Sequence, residues 1–459
     1  MIPEKFSDRM RKMLDAEFDA FQAALEAPAI RALRVNTIKA NSEKLIPLLP
    51  FSTTPLPFAP DAYYAPEDKV GALPAHHAGM LYMQDPSAIC TVCAAMPQKD
   101  IRVIDLCAAP GGKSTQLAAA IGDTGVLVSN EYVSGRCRIL QGNVERIGAK
   151  NVIVTNLSTS ALAEFYGACF DLVVADVPCS GEGMFRKYEV ASEEWSEENV
   201  QMCATRQKDI LEDAAALVAP GGQLLYSTCT FSLEENEQNI DAFLSAHPDF
   251  SLIPVAPAIA AVTADGICFD GCKHDLSLCR RFYPHLSPGE GQFVALLQKN
   301  GDTVCKKAAK TQNSLSSPDA KTLALAKSFL SETLEQIPDG VTLTILRDAL
   351  WLTPDFPVPS RGVFAPGVCL GTLQKGRIEP HHQFASAYGN AYHRRVALSH
   401  GDPRVLAYLR GEEISLFESE CQGGNGYAAV LYEGAPLGGG KIVENRLKNH
   451  YPKGLRNHF

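Results

Sequence analysis

The spacing of apolar and polar positions changes near residue 100 of the chain. Before that point, stretches with helical periodicity such as "MRKMLDAEFDAFQAALEA" alternate with short strands such as "AIRALRVNT". After it, each short apolar run is followed by a helical stretch. The five apolar runs are "IRVIDLCA", "GVLVSNE", "NVIVTN", "FDLVVADVPC" and "GGQLLYSTC". Strands that alternate with helices in this way predict a parallel, doubly wound α/β sheet.

A sixth apolar run, "QFVALLQK" near Gln292, is predicted to lie antiparallel to its neighbour "LCRRFYPH". The segment that follows is polar and rich in Ser and Lys, which is typical of a linker. Strands and helices are mixed again near the end of the chain. The predicted units are a small α+β N-terminal domain over 1–98, the doubly wound domain over 99–300, a linker over 301–319 and an α+β C-terminal module over 320–459.

The loop "DLCAAPGGKST", which begins at Asp105, ends like the phosphate-binding loop of nucleoside-triphosphate enzymes. That motif reads G-x-x-x-x-G-K-[ST], so its first glycine would stand at position 107. Position 107 is a cysteine, whose Cβ hinders a tight wrap around phosphates. The sequence therefore predicts neither an ATPase nor a GTPase. Gly111 and Gly112 still allow a ligand to approach the backbone closely.

Polar and reactive residues follow several of the predicted strands, at the edge where ligands bind in doubly wound sheets. Strand two ends at Glu131, and an acidic residue there can bind the hydroxyls of a ribose. Strand four is followed by Asp176 and Cys179, and strand five by Cys229. An anionic Asp176 tolerates a sulfonium cation better than a triphosphate. These residues together predict S-adenosylmethionine as the ligand.

The composition predicts a globular protein without a membrane segment. Of the 459 residues, 46% are apolar and 20% are charged, which is enough to bury sizeable cores. No apolar run approaches the roughly 20 residues that a membrane helix requires. The first residues, "MIPEKFSDRMRKML", contain no apolar signal core. We therefore expect a cytoplasmic protein, and a monomer.

The net charge of −10 argues mildly against nucleic acid as a partner. Binding of phosphates needs only a local basic face, however, and the charge is unevenly spread. From Lys441 to Phe459, five cationic side chains stand against one anionic side chain. Asn445, Asn449, His450 and Tyr451 interrupt this basic segment with groups that can hydrogen-bond or stack on nucleotides.

Most of the 14 cysteines stand singly in apolar segments, which is typical of small buried residues. Cys90 and Cys93 form a C-x-x-C pair without the second pair that a zinc site needs. The spacing of Cys268, Cys272 and Cys279 around His274 fits no metal pattern. We predict no metal.

Several of these motifs resemble those of the Sun/Nop-type RNA cytosine-C5 methyltransferases, and in particular the bacterial 16S ribosomal RNA branch. "DLCAAPGGKS" is similar to the cofactor loop of that family, "DVPCSGEGMFRK" to its fourth-strand motif and "LLYSTCTFSLEENE" to its nucleophile motif. "RVNT" and "YMQDPSA" resemble signatures of its N-terminal region. "PLGGGKIVENRLKNHYPKGLR" resembles a PUA-like C-terminal module. The resemblance implies a Rossmann-like, S-adenosylmethionine-dependent core that methylates ribosomal RNA.

Two positions depart from the family pattern. Val177 replaces an alanine in the Asp-Ala-Pro-Cys motif, a change that we expect to be harmless. After strand three, many members carry an acidic residue near the adenine. This chain offers Asn156 and Ser158 instead, which puts that contact in doubt.

The presence of two cysteines at neighbouring strand ends fits covalent catalysis. A thiolate that adds to carbon 6 of cytosine makes carbon 5 able to attack a methyl group, and cysteine is the natural nucleophile near neutral pH. Asp176 is placed to protonate or hydrogen-bond ring nitrogen 3. The resemblance implies that Cys229 attacks, that Cys179 assists release and that Lys113 contacts the substrate or the cofactor carboxylate.

The candidate binding residues fall into two sets. For the cofactor they are Cys107, Ala108, Ala109, Pro110, Gly111, Gly112, Lys113, Glu131, Arg136, Asn156, Ser158 and Asp176. For RNA they are Arg34, Arg186, Lys187, Lys441, Arg446, Lys448 and Lys453.

Other functions remain as alternatives. Methyltransferases that act on amino groups usually end strand four in Asn/Asp-Pro-Pro-aromatic, whereas this chain has "DVPC". A non-catalytic ribosome-assembly factor would be favoured by loss of either cysteine, and both are present. The sequence leaves open which cytosine is modified and whether transfer RNA is a substrate.

Overall fold

Two helices and a small antiparallel sheet form the beginning of the chain. The computed structural model describes residues 2–65, 69–302 and 315–456. Strands β2, β3, β1 and β4 lie side by side in that order. The elements are α1 (Glu4–Leu14), α2 (Phe18–Glu26), β1 (Ala32–Val35), α3 (Ser42–Leu45), β2 (Thr54–Leu56), β3 (Ala59–Tyr64), α4 (Pro74–His77), β4 (Leu81–Gln84) and α5 (Pro86–Ala95).

The predicted doubly wound sheet is present in the middle of the chain. Its parallel strands lie in the order β7, β6, β5, β8 and β9. The elements are β5 (Arg102–Asp105), α6 (Gly112–Ile121), β6 (Val126–Asn130), α7 (Ser134–Ile147), β7 (Val152–Thr155), α8 (Thr159–Tyr166), β8 (Phe170–Asp176), α9 (Glu189–Glu193), α10 (Glu197–Leu217), β9 (Val218–Thr228), α11 (Glu237–Ala246), β10 (Phe250–Leu252), α12 (Pro257–Ala260), β11 (Ala264–Asp265), β12 (Arg280–Phe282) and β13 (Gln292–Lys299). As predicted, β13 is antiparallel to β12, and it is also antiparallel to β9.

Alternate residues of the central strands face two separate cores. Val103 of β5 packs with α5, α6 and α7 on one face, while the next residue, Ile104, packs with α8, α10 and α11 on the other. A strand that is buried on both faces must be apolar at successive positions, because its side chains alternate in direction. This explains the continuous apolar runs in the sequence.

Two further sheets follow near the end of the chain. Most of the predicted linker lies outside the described residues. The elements are α13 (Ala320–Thr333), β14 (Val341–Leu346), β15 (Ala349–Pro354), β16 (Val363–Ala365), β17 (Val368–Gln374), β18 (Arg377–Pro380), α14 (His382–Tyr388), β19 (Arg395–Leu398), α15 (Pro403–Leu409), β20 (Ile414–Ser415), β21 (Gly426–Tyr432), β22 (Ala435–Val443) and β23 (Arg446–Asn449). The sheet orders are β14-β15-β17-β18 and β19-β21-β22-β23-β20.

One strand of this last region belongs to the central sheet. β16 pairs antiparallel with β7 and so covers the edge of the parallel sheet. An uncovered edge strand would expose unpaired backbone groups that invite aggregation. The C-terminal region is thus tied to the central sheet by backbone hydrogen bonds.

Lys39 joins the N-terminal, central and C-terminal regions through its ammonium group. Its Nζ donates hydrogen bonds to the Ala78 and Arg146 carbonyls at 2.9 and 3.1 Å. It also donates to Ser386 Oγ at 2.8 Å and to the Pro436 carbonyl at 2.9 Å. Arg146 lies in the last turn of α7, where a cation is favoured by the helix dipole. Burial lowers the pKa of Lys39 well below its usual value.

We predict that Lys39→Met destabilises the folded chain, because three enclosed carbonyl groups lose their donor. Each unpaired buried acceptor costs about 1–3 kcal/mol. Relief of the buried charge offsets part of that loss. The net effect should be at least about 2 kcal/mol, measured by urea unfolding. The exposed Lys12→Met is the matched control, and an equal midpoint for both variants would contradict the prediction.

Candidate active site

The loop between β5 and α6 lies at the carboxyl edge of the parallel strands. Gly111 has φ of +113°, a left-handed conformation that side chains with a Cβ rarely adopt. Gly112, the first residue of α6, lies close to Gln84, and a Cβ there would be 3.3 Å from Gln84 Cδ. Backbone N–H groups at the start of a helix attract negatively charged groups. The loop can therefore hold the polar part of a ligand against the sheet edge.

Asp105, the last residue of β5, stabilises this loop through hydrogen bonds. Its buried carboxylate accepts a hydrogen bond from Ser114 Oγ at 2.6 Å, and Ser129 Oγ in turn donates to Ser114 Oγ at 2.9 Å. Burial raises the pKa of Asp105 to about 7. The strand end and the first turn of α6 are thus joined by polar contacts within the core.

Glu131, which follows β6, is linked to the same loop through Arg136. The Glu131 carboxylate accepts a hydrogen bond from the Val133 N–H at 2.8 Å and lies 3.7 Å from the Arg136 guanidinium. Arg136 also donates to the Ala109 carbonyl at 2.8 Å. The acidic group and the glycine-rich loop are therefore held together, as a ligand with a ribose and a carboxylate would require.

Asn156 and Ser158 both have protein partners. Asn156 Nδ2 donates to the carbonyls of Glu131 and Tyr132 at 2.6 and 2.7 Å. Ser158 Oγ caps α8 by accepting the Ala161 N–H at 3.2 Å. Asn156 shapes the backbone next to Glu131, and the adenine contact of these two residues stays a prediction.

Asp176 and Lys113 form an ion pair beside the glycine loop. Lys113 Nζ lies 2.7 Å from Asp176 Oδ2. Burial lowers the pKa of Lys113, but the carboxylate of Asp176, with smaller contributions from Cys229 and Asp105, outweighs it, so the pKa lies above its usual value. Asp176 Oδ1 accepts hydrogen bonds from Ser227 Oγ at 2.6 Å and from Gln292 Nε2 at 3.3 Å. The pair therefore brings a proton and a carboxylate to the site.

Gln292 and Ser227 were not predicted from the sequence. Ser227 is the last but one residue of β9, and Gln292 begins β13, the antiparallel neighbour of β9. The sequence did not predict that β13 lies beside β9, so nothing linked Gln292 to Asp176. Both residues orient the Asp176 carboxylate.

The two predicted cysteines are in contact. Cys179 Sγ and Cys229 Sγ lie 3.1 Å apart, on the loops that follow β8 and β9. The hydrogen bond to Cys229, together with burial, raises the pKa of Cys179 well above its usual value. Because of that pKa Cys179 keeps its proton, so its S–H is available as a donor to Cys229. Such a donor stabilises a negatively charged sulfur.

The residues of the loop that carries Cys229, residues 229–236, are held in one conformation. Asn236 accepts a hydrogen bond from Thr228 Oγ1 at 2.6 Å and donates to the Thr230 carbonyl at 3.0 Å. Arg281 donates to the Phe231 carbonyl at 2.8 Å and pairs with the buried Glu237 at 2.6 Å. The acidic run of the sequence motif thus fixes the loop that carries Cys229.

Three of the predicted RNA-binding residues have partners within the protein. Arg34 is 5% exposed and donates to Thr115 Oγ1 at 2.8 Å, and burial lowers its pKa to about 10. The Arg186 side chain is 6% exposed and pairs with the buried Glu290. Lys187 is paired with Asp85 at 2.6 Å. Burial leaves Arg34 and Arg186 little surface for contact with phosphates, and the RNA-binding role of the three residues stays a prediction.

The four predicted C-terminal cations are exposed. Lys441 of β22 and Lys448 of β23 are direct cross-strand partners, and Lys441 Nζ lies 5.6 Å from the centre of the Tyr427 ring. Tyr451 does not join this surface, because it is 2% exposed and its hydroxyl contacts His77 Nδ1 at 2.8 Å. The exposed cations are Lys441, Arg446, Lys448 and Lys453.

The described part of the chain contains no group of three or more His, Cys, Asp or Glu side chains that could hold a metal ion. Cys272 donates to the His274 carbonyl at 3.0 Å, and the Asp241 carboxylate accepts the Lys273 and His274 N–H groups at 2.9 Å.

Among the described helices, none has the length and apolar character needed to cross a bilayer.

The strand order, the antiparallel strand beside β9 and the loop after β5 define an S-adenosylmethionine-dependent methyltransferase. Matching family descriptions are 16S rRNA methyltransferase RsmB/F over residues 92–298, the N-terminal domain of 16S rRNA methyltransferase RsmF over 2–86 and the methyltransferase RsmF PUA domain over 395–457. The chain belongs to the RsmB/F family of 16S rRNA methyltransferases. The predicted resemblance and the PUA-like character of the C-terminal module are confirmed.

Relatives are similar along almost the whole chain. Ribosomal RNA small subunit methyltransferase F of Vibrio vulnificus is 31% identical over 473 residues, which cover 99% of this chain and 97% of the relative. The protein of the same name from Klebsiella pneumoniae is 31% identical over 474 residues, with coverage of 99% and 96%.

Solved structures resemble about two thirds of the chain. A methyltransferase homolog protein from Pyrococcus horikoshii has a TM-score of 0.57 at 27% identity and covers 65% of this chain and 95% of that one. NSun6 from the same organism, solved with SFG, has a TM-score of 0.58 at 22% identity and covers 66% and 99%. At that identity the second likeness shows the fold alone.

We predict that Glu131→Ala weakens the binding of S-adenosylmethionine about tenfold or more, because a charge-assisted hydrogen bond is worth about 1.5–3 kcal/mol. The measurement is isothermal titration calorimetry with S-adenosylmethionine. RNA affinity should not fall to match. Glu164→Ala, an exposed acid on α8, is the control. Unchanged affinity in the Glu131 variant would show that this carboxylate does not contact the ribose.

Proposed function

We propose that this enzyme methylates carbon 5 of a cytosine in 16S ribosomal RNA through a covalent bond between Cys229 and the base. The observation that carries the proposal is the contact between the two sulfur atoms, 3.1 Å apart, beside the Lys113–Asp176 ion pair. The relatives named ribosomal RNA small subunit methyltransferase F support 16S RNA as the substrate. The presence of both thiols disfavours a non-catalytic assembly factor.

Cys229 is the attacking group in this mechanism. Carbon 5 of cytosine is a weak nucleophile, and addition of a thiolate to carbon 6 gives it enamine character. The hydrogen bond from Cys179 stabilises the thiolate before attack. Bound S-adenosylmethionine supplies the methyl group as an electrophilic sulfonium. The glycine loop, Glu131 and Arg136 would hold this molecule at the strand edge.

The ion pair supplies the proton that ring nitrogen 3 needs as carbon 6 is attacked. Asp176 is the more accessible member, with 27% of its side chain exposed, and Lys113 donates to it. Asp176 is therefore the group that meets the base. A proton passes from Lys113 Nζ through Asp176 to nitrogen 3 during the attack, and it returns by the same route when the C–S bond breaks. This division of labour is general acid catalysis by a coupled pair.

Cys179 acts after methyl transfer. Once Cys229 is bonded to carbon 6 it no longer accepts a hydrogen bond as a thiolate, and the main cause of the high pKa of Cys179 is lost. Cys179 can then release its proton to solvent and remove the proton from carbon 5. The electron pair of that C–H bond restores the double bond between carbons 5 and 6, and the C–S bond electrons return to Cys229. Cys179 then holds the proton taken from carbon 5, and Cys229 is again a thiolate.

Substitution of each cysteine by alanine should separate the two roles. Cys229→Ala is expected to abolish methyl transfer with little change in affinity for S-adenosylmethionine. Cys179→Ala should permit attack and stall at elimination, so a protein–RNA complex that resists denaturing gels accumulates. The exposed Cys268→Ala is the control.

Two results would contradict these roles of the cysteines. Turnover of the Cys229 variant within tenfold of the wild type would assign the attack to Cys179. A folded Cys179 variant that is inactive and forms no covalent complex would remove its role in release.

We also propose that the C-terminal module over 320–459 binds the RNA backbone. Attack on carbon 6 requires an unstacked base, so the enzyme must hold the flanking strand. The exposed Lys441, Lys448 and the adjacent Tyr427 combine positive charge with an aromatic ring, as RNA-binding surfaces commonly do.

A quadruple variant tests this surface. Changing Lys441, Arg446, Lys448 and Lys453 to Gln should lower both the affinity for 16S RNA and the slope of log affinity against log salt, because fewer counterions are released. S-adenosylmethionine affinity should not change. The control changes four exposed lysines outside this module, namely Lys12, Lys99, Lys208 and Lys273. A wild-type salt slope in the test variant would exclude the module as the RNA platform.

A further inference from the structure

Two buried carboxylates cross between the loops that carry the cysteines. We call residues 178–185 the release loop and residues 229–236 the nucleophile loop. Glu235 of the nucleophile loop accepts hydrogen bonds from the Ser180 N–H at 2.9 Å and from Ser180 Oγ at 2.5 Å. Ser180 is the residue after Cys179. The nucleophile loop is therefore hydrogen-bonded to the release loop at the residue next to Cys179.

A second carboxylate makes the reciprocal link. Glu182 of the release loop accepts the N–H of Phe231 in the nucleophile loop at 2.8 Å and the indole N–H of Trp195 at 3.0 Å. The Gly183 N–H donates to the Cys229 carbonyl at 2.9 Å. Each loop thus supplies a carboxylate that binds the backbone of the other.

Neutral groups complete the connection around Glu235. Gln207 of α10 donates to Glu235 at 2.9 Å and to the Pro178 carbonyl at 3.0 Å, so one amide contacts both loops. Ser232 Oγ also donates to Glu235 at 2.9 Å, and the hydroxyls of Ser180 and Thr230 are 2.8 Å apart. Together, these contacts leave the carboxylate fully satisfied by hydrogen-bond donors.

Burial of these acids is costly, which makes their arrangement informative. Glu235 is 0% exposed and Glu182 is 1% exposed. Glu235 has only neutral donors, and the nearest cation to Glu182, Arg9, lies 3.5 Å away. A buried carboxylate with such partners adds little net stability but specifies one geometry. The geometry specified here is the spacing of the two loops.

We propose that Glu235 and Glu182 are positioning residues for methyl transfer, which together hold the two cysteine loops at the separation that the reaction requires. Neither side chain needs to touch RNA or S-adenosylmethionine. The inference rests on the proposed two-cysteine mechanism. It adds the two residues that set the distance between the cysteine loops.

Glu235 also acts on Cys179 through its charge. After the hydrogen bond to Cys229 and burial, the Glu235 carboxylate is a further cause of the raised pKa of Cys179. Replacement of Glu235 by a neutral residue should therefore lower that pKa. The pH dependence of the release step should move to lower pH, since Cys179 must lose its proton before it can act as the base.

The test compares Glu235→Gln with the wild type in single-turnover reactions on 16S RNA, across the neutral to alkaline range. We expect kcat to fall about 10- to 100-fold, the cost of a misplacement on the order of 1 Å, with KM for S-adenosylmethionine unchanged. The rate of decay of the covalent complex should begin to rise at a lower pH in the variant than in the wild type. Glu164→Gln is the control, because Glu164 is an exposed acid on α8 and lies outside both loops.

Glu235→Asp separates charge from length. It keeps the carboxylate but shortens the reach to Ser180, so kcat should stay low while the pH dependence returns toward that of the wild type. If Glu235 had a purely structural role, kcat and the pH dependence would change together in both variants. If Glu235→Gln does not fold, Ser180→Ala removes one donor only, and kcat should fall in the same direction by a smaller factor.

Wild-type kcat and pH dependence in Glu235→Gln, or in Ser180→Ala where that variant replaces it, would overturn the proposal. Failure of the two-cysteine mechanism has a different signature, which is turnover in Cys229→Ala. Either result can occur without the other, so the two proposals are tested independently.

Discussion

Asp176 of β8 and Ser227 of β9 are direct partners in the parallel ladder, and that register places every reactive group of the site. Parallel neighbours end at the same edge of the sheet, so the loops after them emerge side by side. Cys179 and Cys229 follow these two positions closely, and their sulfur atoms meet. A slip of one residue would turn Asp176 away from Lys113, because successive side chains of a strand point to opposite faces. The antiparallel β13 secures the register from the other side and contributes Gln292.

Charges around the site are buried rather than spread over its surface. Glu237 and Arg281 are paired behind the nucleophile loop, and Arg186 and Glu290 are paired behind the release loop. Such pairs contribute little net stability, but the loss of one partner leaves a buried charge without compensation. A fold held in this way tolerates few alternative loop conformations. That rigidity suits a reaction in which two thiols must act in turn on one base.

The sequence predicted the features of the site that depend on local order along the chain. Cys179, Cys229 and the glycine loop each follow an apolar strand, and strand ends can be read from spacing alone. Ser227 and Gln292 were missed because their role depends on which strands become neighbours. Lys39 was missed for the same reason, since its four acceptors come from distant segments. The burial of Arg34 and Arg186 was not predicted, because residue type does not reveal whether a cation has an acceptor inside the protein.

The first two helices belong to the active-site scaffold. Phe6 of α1 and Phe21 of α2 pack against Phe231 of the nucleophile loop, with the ring centres of Phe21 and Phe231 5.1 Å apart. Arg9 of α1 lies between Glu182 and Glu234, and so compensates a carboxylate that the release loop buries. Aromatic packing on one side and a cation on the other make the N-terminal region part of the structure that keeps Cys229 in place. A binding event that displaced these helices would therefore also move the loop that carries Cys229, because the two are in direct contact.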